Sequence, residues 1–322
     1  MASISTNSST KSTSTTRSEV DGVVIIDKPA GWTSHDVVAK VRNLTKAKKV
    51  GHTGTLDPFA TGVLPLTLGR ATRLTSYFLA SDKVYHGVMR FGFATTTYDV
   101  DGEPLGEDSR PELDPMRLEQ IFNHYRGTVL QTLPPYSAKK IQGRPLYSYA
   151  RKGIELSPTK KEVTIKALTV ILVNGCEVEF ELACTAGTYA RSLAHDIGSE
   201  YGCGAHLKQL RRTRSGEFPI ETAVPLSDGV QFYSRDFFLD RLIPMRNLLQ
   251  EIPAIVVSDG DRMKAIHGMD LNLLTADWKS DEYRLTDQSG ELIALVKRVQ
   301  TFTSPVEQPA HWIRIHPHLI FS

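Results

Sequence analysis

Cysteine is scarce in this chain: Cys176, Cys184 and Cys203 are the only three in 322 residues, irregularly spaced and without a C-x-x-C pair. That excludes a disulfide framework and points to a reducing compartment, so a cytoplasmic protein is expected. A zinc site built from Cys184, His195, Cys203 and His206 lacks the paired-cysteine spacing, and Gly202-Cys203-Gly204 reads equally well as a tight turn, so no metal is expected. Long apolar runs are missing too. The most hydrophobic stretches, such as Val163 to Val173, carry Lys or Thr every few positions, and no membrane span is expected. Net charge is only +2, which rules out a global polycation. No Gly-Lys-Ser/Thr follows the glycine-rich stretch from Gly51 to Gly62, and the spacing is wrong for a dinucleotide fingerprint, so no nucleotide cofactor is implied.

The first residues lack acids and have hardly any apolar side chains. Met1 to Ser18 is almost wholly Ser, Thr and Asn, and residues 1–19 are predicted to be a disordered tail. The composition resembles a transit peptide, but Lys11 and Arg17 are its only cations and no amphipathic pattern is present. Beyond it, 40% apolar content supports one substantial core plus a second small domain.

"GVVIID", Gly22 to Asp27, is a β-branched run that reads as a buried strand. Ser34 can cap a following helix whose apolar face is Val37, Val38, Val41 and Leu44. After the loop Gly51 to Gly62 come a short strand, Val63 to Leu68, and a basic turn at Arg70 to Arg73. Lys83 to Phe93 alternates, with Tyr85, Met89, Phe91 and Phe93 on one face. Asp101-Gly102 signals a hairpin turn, Met116 to Tyr125 a helix, Val163 to Thr185 a strand-rich region and Ala190 to Glu200 another helix. Consecutive strands with intervening helices predict an α+β fold with a mixed, largely antiparallel sheet and flanking helices. From Pro253 a short-strand pattern, with a turn at Gly290, predicts a β-rich domain of about seventy residues. The expected division is a catalytic domain over 20–248 and a small domain over 249–322. No apolar heptad pattern calls for more than a monomer.

Charge is unevenly distributed. Lys40, Arg42, Lys46, Lys48 and Lys49 form one basic group, Lys139, Lys140, Arg144, Arg151 and Lys152 a second, and Lys208, Arg211, Arg212 and Arg214 a third. Local patches of this kind suit a phosphate backbone, though each can also be a solvated face. Between Asp36 and Asp82 the only acid is Asp57, placed before Pro58 in the glycine-framed loop. An isolated Asp-Pro is ordinarily a turn or cap. Here the flanking glycines, nearby His52 and the basic groups favour a reactive carboxylate exposed where backbone can approach a ligand closely.

"DKPAGWTSHD", "GHTGTLDPFATGVLPLTLGRATR", "DKVYHGVMRFG", "PPYSAKKIQGRPLYSYARKGIE", "GTYARSLAHDIG" and "GCGAHLKQLRRTRSGEF" occur in that order. Together they resemble the bacterial-type TruB family of tRNA pseudouridine synthases, which modify the T-loop uridine, position 55. The resemblance covers Gly22 to about Glu221, and the block from Pro253 is similar to that family's PUA-like domain. It implies a pseudouridine-synthase core, a tRNA T arm as substrate and no cofactor. Asp57 matches the catalytic aspartate, Arg191 its partner and Tyr85 the aromatic that stacks on the target base. His52, Tyr189 and Leu210 match positions lining the uridine site, and Lys28 matches the Lys-Pro motif, with a structural turn as its rival. Arg70, Arg73, Lys139, Lys140, Arg211 and Arg212 are the candidates for RNA-backbone contacts. Two departures stand out, Thr96 where relatives commonly place an aspartate and Ala186 in place of a frequent lysine; both are expected to touch RNA contacts rather than the catalytic pair.

Overall fold

The computed structural model of the protein describes residues 20–137, 140, 141, 143–145, 149, 154, 159–227, 233–275, 280–302 and 311–321. The expected Ser/Thr-rich tail lies outside these, as do Lys139, Arg151 and Lys152. The main sheet runs Val224–Pro225, β1 (Gly22–Lys28), β3 (Thr61–Leu68), β8 (Ala205–Ser215), β4 (Lys83–Phe91), β7 (Glu177–Cys184), β6 (Lys160–Asn174), β5 (Gly127–Thr132). The short β2 (Val50–His52) pairs with β3. Along this path only β1 with Val224–Pro225 and β8 with β3 are parallel, so the sheet is mixed and largely antiparallel, as expected.

β1 shows why the run "GVVIID" has no polar alternation. Val24 and Ile26 enter a core with Val37, Val41 and Leu64, whereas Val23 and Ile25 enter another with Leu74, Phe78 and Phe321. A strand covered on both faces has no solvent side to mark. The first face is covered by α1 (Ser34–Thr45) and α4 (Ala190–Tyr201), which contributes Leu193, Ala194 and Ile197. α3 (Pro115–His124) adds Leu118 and Phe122 to the same core.

The cap of α1 is Thr33, one residue before the expected Ser34. Thr33 Oγ1 accepts from the Asp36 amide at 3.1 Å, and Asp36 accepts from the Thr33 amide at 2.8 Å. This capping box is worth about 1 kcal/mol. Ser34 is buried in the first turn, and its hydroxyl serves the loop described below. β4 ends at Phe91 rather than Phe93, because Gly92 leaves the extended region at φ 119°.

A second sheet runs Ala254–Val256, Glu282–Thr286, Leu292–Phe302, His311–Ile320, Leu271–Thr275. The turn signal at Gly290 falls between two of its strands. A helix, Asp259–Ile266, packs there as well; its weak apolar periodicity left it unread in the sequence. Among the described residues no helix is long and apolar enough to cross a membrane.

The two sheets share a core. Leu292, Leu295 and Phe321 pack with Val23, Val63, Leu74 and Phe78. Polar bonds line the seam: Arg70 bridges Asp21 Oδ2 at 2.7 Å and the Phe321 carbonyl at 2.8 Å, and Arg73 donates to the Ile320 carbonyl. Phe321 is 2% exposed. Replacing it with Ala is expected to cost about 3–5 kcal/mol in urea unfolding. A loss below about 1 kcal/mol would show that the seam does not depend on that ring.

Candidate active site

The loop between β2 and β3 is fastened on both sides of Asp57. Arg212 Nη2 donates to the Gly54 carbonyl at 3.1 Å. The Leu56 amide donates to Ser34 Oγ at 2.9 Å, and that hydroxyl lies 3.2 Å from the Leu56 carbonyl. The Pro58 carbonyl accepts from Lys28 Nζ at 3.1 Å and from the Gly31 amide at 2.8 Å. Contacts from β1, α1 and β8 therefore hold the backbone before and after the carboxylate. Gly62, where β3 meets β8, must be glycine: its φ is 102°, and a Cβ there would lie 2.2 Å from the Arg212 carbonyl.

Arg191, in the first turn of α4, answers Asp57 with a fork. Its Nη2 donates to Oδ1 at 3.0 Å, and its Nε lies 2.9 Å from Oδ2. The guanidinium is 5% exposed, and the Asp57 side chain 33%. Behind it, Nη1 lies 3.3 Å from Asp99 Oδ2 and 3.3 Å from the Thr97 carbonyl, and Nη2 donates to the Tyr136 carbonyl at 2.9 Å. Burial pushes the Asp99 carboxyl up, against the bond from Thr97 and the charge of Arg191. One buried cation thus serves two carboxylates, of which only Asp57 reaches solvent.

The start of α4 has no side-chain cap of its own. Instead Gln131, 3% exposed on β5, accepts from the Tyr189 amide at 2.8 Å and donates to the Tyr189 carbonyl at 3.0 Å. A side-chain amide so placed satisfies the backbone and aims the first turn.

Beside Asp57 lies a cavity of about 270 Å³ lined by Asp57, Arg191, Tyr85, Tyr189, Leu210, Lys83 and Arg212 among others. Sheet register assembles its floor, since Tyr85 of β4 stands directly across from Arg212 of β8. Burial pushes the Tyr85 phenol up, with Arg212 bonded to it. Lys83 is spent on carbonyls: its ammonium donates to Phe78, Leu79 and Ser81 at 2.6–3.2 Å, and burial lowers it to about 8.

Residues 42–190 match the TruB family pseudouridylate synthase N-terminal domain, and residues 191–250 match the tRNA pseudouridylate synthase B C-terminal domain. The chain belongs to the TruB family. It is 42% identical over 280 residues to the tRNA pseudouridine synthase B of Solibacter usitatus, covering 86% of this chain and 95% of that one. With the enzyme of the same name from Chromobacterium violaceum it shares 41% identity, over 85% and 89% of the two chains. Among solved structures, a chain of an H/ACA RNP bound to a substrate RNA containing 2′-deoxyuridine superposes with a TM-score of 0.68 at 28% identity. That match covers 94% of this chain and 85% of the other.

Of the positions matched to the TruB uridine site, Asp57, Arg191, Tyr85, Tyr189 and Leu210 come together on one cavity. Lys28 and His52 do not line it. Lys28 is fully buried and donates to the Pro29, Trp32 and Pro58 carbonyls at 2.7–3.1 Å, so the structural-turn alternative wins. His52 stands one step back, its Nδ1 3.4 Å from the Gly54 amide and its ring edge-on to His35 at 5.7 Å. Burial and the neighbouring His35 and Arg212 lower its pKa.

The residues of the proposed RNA-backbone set do not share one surface. Arg212 is 1% exposed and donates to the Val63 and Gly54 carbonyls, which removes it from any phosphate. Arg211 points to the opposite face, where it pairs with Asp27 at 2.7 Å. Adjacent strand residues face opposite sides, so a basic run in sequence is split in space. Arg70 and Arg73 hold the end of the chain, as described above. Lys139 lies outside the described residues, and of Lys140 only the backbone is described. Among the described residues no group of three or more His, Cys, Asp or Glu could hold a metal.

Sequence reading missed Asp99, Gln131 and Lys83. Asp99 lies in the hairpin carrying the Thr96 departure, and nothing in its local pattern separates it from an ordinary turn aspartate. Thr96 itself accepts from the Glu103 amide at 3.1 Å, a local hairpin bond.

Lys28→Met is expected to lower the unfolding free energy by about 2–4 kcal/mol, because it removes the ammonium that three carbonyls around the loop share, and of these the Pro58 carbonyl keeps the Gly31 amide as a donor. Burial pushes Lys28 down to about 8, below its unfolded value. The unfolded chain therefore binds more protons between the two values, and the parent should gain stability as pH rises from about 8 to about 10. Urea titrations across that range check the slope, which should be shallower in the Met variant; Lys83, lowered to about 8 in the same way, supplies the part that remains.

Proposed function

We propose that this TruB-family tRNA pseudouridine synthase isomerises the T-loop uridine, position 55, with Asp57 as its catalytic carboxylate. The reaction breaks N1–C1′, turns the base and joins C5 to C1′; the proton lost from C5 is balanced by one gained at N1. It calls for a placed carboxylate and a closed pocket. The observation that carries this reading is the Arg191 fork on Asp57 at the wall of a cavity bearing Tyr85 and Leu210. The base, stacked inside its loop, must be everted into that cavity, at a cost on the order of a few kcal/mol. Tyr85 offers a ring face to receive it, and Leu210 adds apolar surface to the same cavity. Arg191 binds the carboxylate on the side away from solvent, leaving the exposed edge of Asp57 to the nucleoside.

Backbone contacts to the T arm offset the eversion cost. Lys46, Lys48 and Lys49 are exposed, and affinity should fall steeply with salt. Residues 249–322 are assigned as the PUA-like RNA-binding domain, docked on the catalytic domain, 20–248, through the Phe321 seam. The three cysteines are free thiols, in keeping with a reducing cytoplasm, and the enzyme is proposed to act as a monomer.

The likeness to a chain of an H/ACA RNP favours a second reading, action on a guide-paired RNA. The relatives of higher identity bear the tRNA synthase name, and the tRNA reading is preferred. Incubation with unmodified total tRNA, without added guide, should yield pseudouridine at one T-loop position. Product that appears only with a guide RNA would overturn it.

Asp57→Asn should lower turnover on a T-arm hairpin by ~10³-fold or more, with RNA affinity largely kept. Arg191→Ala should lower single-turnover rate by ~10²-fold and affinity far less. Equal losses in rate and affinity would make Arg191 an RNA-backbone contact instead.

A further inference from the structure

Tyr98 stands in the left-handed region at φ 65°, where a Cβ crowds the following carbonyl oxygen. The other described non-glycine residues at positive φ are Lys46, Arg110 and Leu249, none of them aromatic. A bulky residue stays in such a conformation only where its surroundings over-determine it. Two things do so here. Its backbone is pinned, the amide donating to the Thr95 carbonyl at 3.2 Å and the carbonyl accepting from the Leu207 amide at 3.0 Å. Its ring lies flat on His195, centroids 3.8 Å apart and planes 15° from parallel.

His195 is one helical turn beyond Arg191 on α4, so both side chains leave the same side of the helix. Asp99 follows Tyr98 in the chain and pairs with Arg191 Nη1 at 3.3 Å. Asp99 is also bonded within its own hairpin, its carbonyl to Thr95 Oγ1 at 2.7 Å and its carboxylate to the Asp101 amide at 3.1 Å. The hairpin is therefore rigid internally, and the Tyr98–His195 stack docks it against the helix that carries the cation, one turn beyond the contacts of Thr97 and Asp99 with Arg191. Among the described residues the buried His195 Nδ1 has no hydrogen-bond partner, and burial lowers the pKa of the imidazole.

We infer that Tyr98 is a positioning residue for the isomerisation: its ring, docked on His195, sets Asp99 against Arg191 and so sets how Arg191 meets Asp57. This rests on the reading of Asp57 and Arg191 as the reacting pair. The φ of Tyr98 would suit glycine, so the ring is kept for its contact and not for the turn.

The test is single-turnover pseudouridine formation on a T-arm hairpin, with rate and affinity measured separately and thermal unfolding as a check on folding. Tyr98→Gly relieves the backbone and removes the ring. Its rate should drop on the order of tenfold with affinity kept within about twofold. Tyr98→Phe keeps the ring and should restore the rate. His195→Ala should match Tyr98→Gly, and the double variant should lose no more than either single one. Parent rate in Tyr98→Gly, equal loss of rate and affinity, or losses that multiply in the double variant would each overturn the inference. Asp57→Asn separates the two readings. Turnover by that variant removes the underlying assignment, whereas an inactive Asp57→Asn beside a fully active Tyr98→Gly removes this one alone.

Discussion

Arg191 is buried, charged and shared between Asp57 and Asp99, and the rest of the site is arranged around that fact. A guanidinium taken out of water is tolerated only when its charge is compensated, and here two carboxylates and two backbone carbonyls surround it. The planar fork fixes the angle as well as the distance of the exposed carboxylate. Asp99 is buried, so the cation is held from behind while Asp57 remains open to the cavity. Removing any member would strand the others in a low-dielectric setting, which ties the geometry of the site to the stability of the fold.

Other buried cations frame the same loop. Lys28, Lys83 and Arg212 are each at most 5% exposed and spend their donors on main-chain carbonyls. Cations buried against carbonyl oxygens stiffen backbone that no regular ladder holds. Lys28 and Arg212 act directly on the loop that carries Asp57, from β1 and from β8. Central placement of β8, between β3 and β4, lets one side chain reach both the loop and Tyr85. Arg212, an expected RNA contact by sequence, thus holds the loop and the floor of the pocket.

Much of the fold was legible. β1, α1, β4, α3 and α4 were each announced by periodicity or by an unbroken apolar run, and their ends were missed by a residue or two. Those misses have local causes, such as Thr33 capping in place of Ser34, or Gly92 ending β4 early. The loop carrying Asp57 was equally visible, because glycine framing and an isolated acid are properties of a short stretch. Asp99, Gln131 and the inward turn of Arg212 were hidden, since each depends on a partner between about 50 and 160 residues away in the chain.

The amino-acid sequence by itself determined the elements, the α+β class, the family and the residues able to do chemistry, because these follow from patterns a few residues long. Only the tertiary structure decided which cations face the ligand and which support the frame. On a strand, neighbouring side chains point to opposite faces, and a basic cluster gains its meaning only when the sheet assigns an inside and an outside. The same holds for the Arg191 fork, whose two carboxylates arrive from separate loops that meet only once the sheet has closed around them.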